Sequence, residues 1–379
     1  MVEIKLIGCG AAGNKAVIDA YNNGIIEHGE FVLINSTSKD IPDEFKQNSI
    51  IYSNADGAGK ERSLGKKYAV KALQNKDFEI DKFVNEAKIV VLVSSLDGGT
   101  GSSSVSIFAK YIKEVLSKNV YIIGFNGFEN DARSLSNTIE FMKELDKDYS
   151  ISIISNKKFL SNKTNQRQAE RLANKEFCQY IKTIKAVGIR DSEVNIDGAE
   201  LYKTIATPGY TIIERGDISD IRNKEDFDIL VRSLYDNSKS IDTDNACKRI
   251  CAFVLAEDKI QNKIDFSFNE VKECWGTPFE FYQHTQNDEV NEIIFIISGM
   301  NLPIKYFEKM YNNYIEESSK VNKGIDSFFD QINKLNGNED DSEFNSLTNN
   351  NSKKSKAEDF FSGLNIDTKD ITDSSEGSF

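Results

Sequence analysis

The sequence has few cysteines and fewer histidines, and these shortages exclude several kinds of site. Five cysteines and two histidines occur in 379 residues, and no two cysteines have the C-x-x-C spacing. An odd cysteine count without that spacing predicts neither a disulfide framework nor a zinc ribbon. With only His28 and His284, a histidine-rich metal site is excluded as well. We therefore expect reduced thiols, as in a cytoplasmic protein.

Long hydrophobic runs and a surplus of positive charge are also missing. The longest apolar stretches, such as residues 89–93 and 293–297, are far shorter than the roughly 18 residues that span a membrane. We therefore expect no membrane partner. Lys and Arg number 47 against 60 Asp and Glu, which gives a formal net charge of −13. Because DNA phosphates repel so acidic a chain, we expect no direct binding of nucleic acid.

Residues 1–165 alternate apolar strands with helices. The sequence predicts strands at 3–7, 31–34, 89–93, 120–125 and 151–154, with helices between most of them. Continuous apolar strands in such an alternation are typical of a parallel sheet that is covered on both faces. The fold class is therefore α/β, and a ligand is expected at the carboxyl ends of the strands.

The rest of the chain divides into four further parts. Residues 166–190 are predicted as one long central helix, and residues 191–301 as a smaller C-terminal α/β domain. Residues 302–335 are predicted as a C-terminal helix. Residues 336–379 hold ten acids and four lysines and are rich in Asn and Ser, so we predict a disordered acidic tail.

Glycine-rich turns follow three of the apolar segments. Residues 8–13 have the form G-x-G-x-x-G, and residues 97–104 read DGGTGSSS. Glycines let backbone N–H groups approach phosphate oxygens, and a helix N-terminus adds partial positive charge. Two such turns on nearby strand ends predict a di- or triphosphate site. The third turn, at residues 57–59, follows the second predicted strand and is placed to close over a terminal phosphate.

Two other phosphate-binding classes fit the sequence poorly. The chain lacks G-x-x-x-x-G-K-[ST], which excludes a Walker-type NTPase. A dinucleotide enzyme needs an acid at the end of the second strand, where this chain has Asn35. A non-polymerising dinucleotide enzyme and a binding scaffold without hydrolysis remain the alternatives from other functional classes.

The motifs, taken in order, resemble the tubulin/FtsZ superfamily. Residues 97–104 resemble the family's glycine-rich signature, and residues 8–14 its first phosphate loop. The resemblance covers about residues 1–300 and implies a tubulin/FtsZ-like fold that binds GTP or GDP. It implies Mg²⁺ held mainly by the nucleotide phosphates, with no confident metal ligand from the protein. The implied GTP-binding residues are Gly10, Ala11, Ala12, Gly13, Asn14, Asn35, Gly57, Ala58, Gly59, Gly98, Gly99, Thr100, Gly101, Ser102, Glu129, Arg133, Asn156 and Asn174.

Some positions depart from the family pattern. Asp97 brings a carboxylate to the glycine-rich turn, and Ala11 and Ala12 replace glycines. Glu170 stands where the family places an aromatic ring on guanine, and Lys60 adds a cation to the third turn. The guanine preference therefore comes from the resemblance, since asparagine amides offer both donors and acceptors to any base.

Residues 195–200 (NIDGAE) follow the predicted central helix. By themselves they read as a helix start with a capping box. They also resemble the family's N-x-D-x-x-[DE] motif, which implies that Asn195, Asp197 and Glu200 act in catalysis. The two carboxylates would enter the nucleotide pocket of the next subunit and orient water against the terminal phosphate. The expected enzyme is a GTPase whose active site is completed between longitudinally stacked subunits.

The expected partners are other copies of the chain and an adaptor. The helix after residue 302 resembles TubZ, the plasmid- and phage-encoded branch of the superfamily that segregates DNA. A phage spindle-type tubulin and a divergent FtsZ are the alternatives within the family. Since the chain is acidic, it is expected to reach DNA through a DNA-binding adaptor that the C-terminal tail recruits.

Overall fold

The described part of the chain begins with the predicted alternation of strands and helices. The computed structural model describes residues 4–52, 57–75, 78–145, 148–187, 198–241 and 246–322. The elements of the first half are β1 Ile4–Cys9, α1 Gly10–Asn22, β2 Phe31–Asn35, β3 Ser49–Ile51, α2 Arg62–Gln74, α3 Ile80–Val84, β4 Ile89–Ser95, α4 Thr100–Lys110, β5 Asn119–Asn126, α5 Ala132–Leu145 and β6 Ser150–Ser155. Those of the second half are α6 Gln166–Val187, α7 Gly198–Ile205, β7 Gly209–Asp217, α8 Lys224–Asp236, β8 Arg249–Leu255, α9 Asp258–Gln261, α10 Asn269–Trp275, β9 Glu280–Gln286, β10 Glu292–Met300 and α11 Ile304–Asn322.

The described strands join into a single sheet of ten, in the order β3-β2-β1-β4-β5-β6-β7-β10-β8-β9. Strands β1 to β6 are mutually parallel. β7 is parallel to β6, β10 is antiparallel to both β7 and β8, and β9 is parallel to β8. Only β10 therefore runs against the others in the described sheet. We call the edge where β1 to β6 end the carboxyl edge, and the opposite edge, where they begin, the amino edge.

Strand β3 was not predicted. It has three residues, all half-buried, and so carries no readable hydrophobic period. It forms because β2 offers a free edge, with Leu33 opposite Ser49 and Asn35 opposite Ile51. The glycine turn at residues 57–59 therefore follows β3, whereas the sequence reading placed it after the second strand, β2.

The core lies on both faces of the sheet, as the continuous apolar strands predict. In β4, Val90 belongs to the buried cluster on one face, which also contains Phe108 of α4. The next residue, Val91, belongs to the cluster on the other face, which contains Phe177 of α6. All four side chains are fully buried. Because successive strand residues point to opposite faces, burial on both sides holds the strands rigidly and fixes the position of their ends.

The second half continues the sheet of the first half. Helix α6 begins at Gln166, as predicted for the central helix, and its Phe177, Ile181 and Ile184 are fully buried. The α/β class is thus confirmed, while the boundary near residue 191 falls outside the described residues and the domain limits stay a prediction. Helix α11 ends at Asn322 in the described part of the chain. The remainder of the predicted helix 302–335 and the predicted tail also lie outside it.

The cysteines are core residues. All five are buried thiols. Burial raises the pKa of Cys178 and of Cys247 to about 11, which keeps both protonated and unreactive near neutral pH. Among the helices that the structure describes, none has the length and apolar character to cross a membrane.

Candidate nucleotide-binding site

A cleft of about 440 Å³ opens at the carboxyl edge of the sheet. Its walls come from the start of α1, the turn after β4, the β5–α5 connection, the residue after β6, and α6. Five of the residues predicted to bind nucleotide line this cleft: Ala11, Ala12, Glu129, Asn156 and Asn174. Segments far apart in the sequence thus meet where the parallel strands end, which is where open α/β sheets bind ligands.

The first loop, residues 8–13, packs directly on the glycine run, residues 97–101. Gly10 has a φ of +72°, a conformation that favours glycine, and a methyl group on it would lie 3.0 Å from the Cα of Gly101. Gly13 packs even more closely on β4, since a methyl group on it would lie 2.0 Å from the carbonyl oxygen of Val93. Ala11 and Ala12, between these two glycines, are exposed and face the cleft. The first loop therefore presents its backbone to the cleft, and its glycines permit the close packing behind.

The serine hydroxyls after the glycine run bond within α4. Ser102 and Ser103 donate to the carbonyl oxygens of Gly98 and Gly99, four residues earlier. Both serines are completely buried. The groups that remain for a ligand here are the backbone N–H groups of the first turn of α4 and the hydroxyl of Thr100. Ser102, predicted as a binding residue, is thus buried and is not among the residues that line the cleft.

The third loop, residues 57–61, is held against the glycine run. The N–H of Ala58 donates to Thr100 Oγ1 at 3.1 Å. A methyl group on Gly99 would lie 2.8 Å from the Cα of Lys60, so the two backbones touch. Lys60 itself has a φ of 63°, which is strained for a residue with a side chain. The predicted loops Gly57–Gly59 and Gly98–Thr100 are therefore one unit in the fold.

Helix α5 clamps the other side of the third loop. Lys60 Nζ donates to Asp131 Oδ2 and to Ser134 Oγ, each at 2.9 Å. Asn137 Nδ2 donates to the carbonyl oxygens of Lys60 and Asp97, both at 3.0 Å. The loop that would sense a terminal phosphate is thus fixed by side chains of the first turns of α5.

Arg133 belongs to this clamp. Its Nη2 donates to Glu61 Oε1 at 3.1 Å, and its Nε donates to the carbonyl oxygen of Lys60 at 3.3 Å. The side chain is therefore directed at the third loop. Of the predicted motif Phe128-Glu129 with Arg133, the first two residues line the cleft, while Arg133 supports its wall.

Glu129 lies in the connection between β5 and α5. Its side chain is only 1 % exposed and receives a hydrogen bond from Lys157 Nζ at 2.8 Å. Asn126 Nδ2 donates to Oε1 at 3.0 Å, and the hydroxyl of Tyr306 on α11 lies 3.3 Å from the same oxygen. The predicted ribose ligand is thus a buried carboxylate that three parts of the chain hold in place.

The base end of the cleft has a buried acceptor without a partner. Asn156 follows β6, and within the described residues its Oδ1 has no hydrogen-bond partner. Asn174 of α6 is nearly buried, and its Nδ2 donates to Asp19 Oδ2 at 2.6 Å. A buried acceptor left unpaired costs free energy, so a ligand donor that reached Asn156 would be stabilised there.

Glu170 lies in the cleft one turn of α6 before Asn174, at the position expected for the aromatic ring. It forms an ion pair with Lys15 of α1 at 3.9 Å, and both side chains are about half exposed. A ring would stack on a base, whereas this pair offers a charged contact at the rim. Lys15 was not singled out by the sequence, although it directly follows Asn14 in the first loop's helix.

Carboxylates outnumber lysines around the cleft. Its charged lining residues are Lys15, Lys60, Asp97, Glu129, Asp131 and Glu170. Desolvation raises the pKa of Asp131, but the hydrogen bonds from Lys60 and Ser134 outweigh it, so that pKa lies below its ordinary value. A polyphosphate beside these charges requires a cation to offset the repulsion. In the described part of the chain, no three His, Cys, Asp or Glu side chains converge as a metal site.

Two other predicted residues lie behind the cleft. Asn14 is fully buried, and its Nδ2 donates to the carbonyl oxygen of Ile34 at 3.3 Å, which ties α1 to β2. Asn35 at the end of β2 accepts the N–H of Ser36. Ser36 in turn lies 3.5 Å from Thr100 Oγ1. These residues join the phosphate loops to the sheet, and neither side chain lines the cleft.

Of the predicted catalytic residues, Asn195 and Asp197 lie outside the described residues. Glu200 is half-buried in the first turn of α7, and its carbonyl oxygen accepts from Thr204. One turn after Glu200, Lys203 forms an ion pair with Glu280 at the start of β9, at 2.8 Å. Since β9 runs parallel to β1, α7 lies at the amino edge. Glu200 is therefore at the opposite edge of the sheet from the cleft of its own subunit.

Besides Lys15, the supporting residues of the cleft that sequence reasoning missed include Asp131, Lys157 and Tyr306. Asp131 caps α5 by accepting the N–H of Ser134 at 2.8 Å, and an acid three residues before a helical serine was a readable signal. Lys157 directly follows Asn156 in the sequence. Tyr306 lies on α11 and is brought to Glu129 by tertiary packing, which no local pattern predicts.

A parallel sheet with glycine loops around a cleft at its carboxyl edge is the arrangement in which α/β proteins commonly bind nucleotides. Residues 3–163 match the model of the Tubulin/FtsZ family, GTPase domain, and the chain has the tubulin/FtsZ fold. The resemblance found in the sequence is thereby confirmed. The cell division protein FtsZ of Aquifex aeolicus (strain VF5) is 26 % identical over 226 residues, which are 57 % of this chain and 59 % of that protein. The chain thus spans less than two thirds of the curated relatives it matches.

Solved structures show the same fold. The tail-truncated TubZ of Clostridium botulinum phage c-st has a TM-score of 0.66 and 19 % identity, covering 83 % of this chain and 98 % of that one. A GTPγS-form protofilament of TubZ from Bacillus thuringiensis serovar israelensis has a TM-score of 0.65 and 16 % identity, with coverages of 85 % and 94 %. CetZ2 of Haloferax volcanii, a GTPγS-bound protofilament, has a TM-score of 0.68 and 18 % identity, with coverages of 84 % and 100 %.

Proposed function

We propose that the chain binds and hydrolyses GTP and assembles into filaments. The observation that carries this proposal is the convergence of the first loop, the glycine run and the third loop around one cleft. Two of these loops present backbone N–H groups at helix N-termini, where phosphates bind. We assign Glu129 to the sugar, and Asn156 and Asn174 to the base, and all three residues line the same cleft.

Magnesium fits this proposal as a companion of the nucleotide. Phosphate oxygens are hard ligands that Mg²⁺ prefers, and the ion usually keeps several waters. It would offset the charge between the phosphates and the lining carboxylates. Asp97 lies in the glycine run, and Asp131 accepts a hydrogen bond from Lys60 of the third loop. The ion would stabilise the negative charge on the phosphates during transfer of the terminal phosphoryl group to water, and the loops of this chain would orient that group.

Hydrolysis would be completed between subunits. The cleft lies at the carboxyl edge and Glu200 at the amino edge, so head-to-tail stacking of identical subunits brings Glu200 to a neighbour's cleft. There its carboxylate would position water against the terminal phosphate, together with Asp197. Asn195 would support them. Several of the structural neighbours are protofilaments, which supports self-association of this fold.

Within the superfamily we propose a role in segregating plasmid or phage DNA. The C-terminal helix α11, which follows the last strand of the sheet, and the acidic residues 336–379 support this choice. The tail would hold a basic DNA-binding adaptor, because the chain itself is too acidic to bind DNA. A phage spindle-type tubulin and a divergent FtsZ are the competing assignments, and all three share GTP-driven assembly.

Sedimentation of the purified chain tests the proposal. With GTP and Mg²⁺ we expect pelleted filaments and steady phosphate release. With GDP, or with GTP and EDTA, we expect little pellet. Removal of residues 336–379 should leave the pellet intact, since the cleft lies within residues 11–174. Tight GTP binding without a pellet or phosphate release at any concentration would support the alternative of a binding scaffold. NAD binding without GTP binding would support the dinucleotide enzyme.

A further inference from the structure

The C-terminal helix α11 is seated beside the candidate site. Phe307 near its start is completely buried, and Met310 and Tyr311 pack against the same core. Glu308 forms an ion pair with Lys143 of α5 at 2.6 Å. The helix is thus fastened along α5, the helix whose first turns clamp the third loop.

Tyr306, in the first turn of α11, reaches the cleft wall itself. Its hydroxyl lies 3.3 Å from Oε1 and 3.4 Å from Oε2 of Glu129. Because an ionised carboxylate can only accept, the hydroxyl of Tyr306 is the donor in this contact. The residues Asn126 and Lys157 donate to the same carboxylate from β5 and from the turn after β6. Three donors use most of the acceptor positions of the carboxylate, and by the count of lone pairs one position remains for a ligand hydroxyl.

The backbone of Glu129 depends on these contacts. Its φ is 59°, in the left-handed region where a residue with a side chain is strained. Such a conformation persists only where surrounding contacts hold it, and here they are made by a carboxylate side chain that is 1 % exposed. Loss of one donor therefore weakens the placement of the carboxylate as well as one hydrogen bond.

We propose that Tyr306 is a positioning residue for Glu129, so that occupancy of the cleft and seating of α11 are coupled. The inference rests on the proposed binding of GTP, with Glu129 at the sugar. A ligand hydroxyl on Glu129 favours the carboxylate geometry that Tyr306 also favours. Because coupling of two equilibria is reciprocal, a seated α11 raises nucleotide affinity by the factor by which nucleotide stabilises the seated helix. The C-terminal segment then responds to whether the cleft is filled.

Affinity measurements with two nucleotides test the positioning role. We expect Tyr306→Phe to bind GTP about 3- to 10-fold more weakly, as for the loss of one hydrogen bond. Tyr311→Phe makes the same chemical change on the same helix and should bind as the wild type does. With 2′,3′-dideoxy-GTP, which offers Glu129 no sugar hydroxyl, the difference between Tyr306→Phe and wild type should disappear. A purely structural defect would weaken both nucleotides equally.

Hydrogen exchange tests the coupling in the intact wild-type chain. Amides of α11 should exchange more slowly when GTP is added, in the wild type and in Tyr311→Phe. In Tyr306→Phe this added protection should be lost. The coupling would be overturned if Tyr306→Phe bound GTP as tightly as the wild type, or if the exchange rate of the α11 amides did not change on addition of GTP. Either result would leave the proposed function standing. A wild-type chain that binds no GTP would instead overturn both.

Discussion

At the scale of single residues, Thr100 joins two loops of the cleft. Its Oγ1 accepts the N–H of Ala58 from the third loop and lies 3.5 Å from the hydroxyl of Ser36. The residue also opens α4, whose N-terminus follows the glycine run. One hydroxyl thus supports the third loop and remains available as a donor to a phosphate oxygen.

Thr100→Ala should weaken GTP binding and abolish assembly. The loss of a charge-assisted hydrogen bond costs about 1.5–3 kcal/mol, or about 10- to 150-fold in affinity. Titration of GTP measures the effect, and Thr100→Ser, which keeps the hydroxyl, should stay close to wild type. Unchanged affinity in Thr100→Ala would refute the assignment of this turn to the phosphates.

Glu214 of β7 is a second residue whose surroundings have a measurable consequence. Burial raises its pKa to about 8, and Glu176 of α6 acts in the same direction. The hydroxyl of Ser238 and the cations Lys158 and Lys239 act against this rise. The folded chain therefore holds a proton here at pH values where the unfolded chain has released it, since an ordinary Glu has a pKa of about 4.3.

Glu214→Gln should flatten the pH dependence of stability. In the wild type, the contribution of Glu214 to the free energy of unfolding is fully present below about pH 4 and is lost as the pH rises through about 8. The sign follows because the pKa of Glu214 is higher in the folded chain than in the unfolded chain. Urea melts at pH 5, 6, 7 and 8 would show this decline in the wild type and a shallower one in the variant. Exposed Glu289→Gln is the control. If the stability of Glu214→Gln declined with pH as steeply as that of the wild type, the raised pKa of Glu214 would be contradicted.

At the scale of elements, the packing of α1 on the sheet sets the first loop. Gly13 lies in the first turn of α1, and a methyl group on it would lie 2.0 Å from the carbonyl oxygen of Val93 in β4. Both partners are backbone, so neither can yield without moving a helix or a strand. The last glycine of G-x-G-x-x-G is thus required by helix–strand packing.

Gly13→Ala should lower the melting temperature. Overpacking costs about 1–3 kcal/mol, and about 2 kcal/mol corresponds to about 4–8 °C. At Gly29 no atom lies within 4 Å of the added methyl group, so Gly29→Ala serves as the matched control with little change. Thermal unfolding followed by circular dichroism decides between them. Equal melting temperatures for the two variants would show that α1 is not packed on β4 as described.

At the scale of the whole molecule, the sheet has two chemically different edges. The carboxyl edge carries the cleft, and the amino edge carries α7 and the start of β9. Phe279, directly before β9, is 90 % exposed. It adjoins Glu280, the ion-pair partner of Lys203 on α7. A large exposed aromatic side chain at the same edge as Glu200 is suited to a contact between stacked subunits.

Glu200→Ala should bind GTP nearly normally and hydrolyse it at least about 100-fold more slowly, the effect of losing a positioned catalytic group. Filaments should then persist, since the terminal phosphate is retained. A mixture with Thr100→Ala subunits restores one intact cleft facing one intact Glu200. Phosphate release above the sum of the separate variants would support a shared site. Normal turnover by Glu200→Ala alone would remove this residue from the mechanism.

Phe279→Ser should raise the critical concentration for assembly without changing GTP affinity. Because its cleft is intact, the variant should still accept a wild-type neighbour and cap filaments when present as a minor component. Ile229→Ser, at a side chain that is 60 % exposed on α8, is the matched control and should do neither. Sedimentation of mixtures measures both effects. Wild-type assembly by Phe279→Ser would exclude this contact.

Much of the fold and part of the site could be predicted because the signals are local. Apolar runs such as residues 89–93 predict strands that are buried on both faces, and these formed β4. Glycine spacing located the first loop, the glycine run and the third loop. Asn156 and Asn174 line the cleft as expected. Each of these features is determined by a few neighbouring residues and by backbone freedom.

The remaining features were decided by tertiary structure. Strand β3 exists because β2 offers it an edge, and Arg133 supports the third loop because Glu61 lies beside it. Tyr306 reaches Glu129 across 177 residues of sequence. The direction of the strands places Glu200 at the edge opposite the cleft. Contacts between distant segments depend on how helices and strands pack in three dimensions, and no local pattern of residues carries that information.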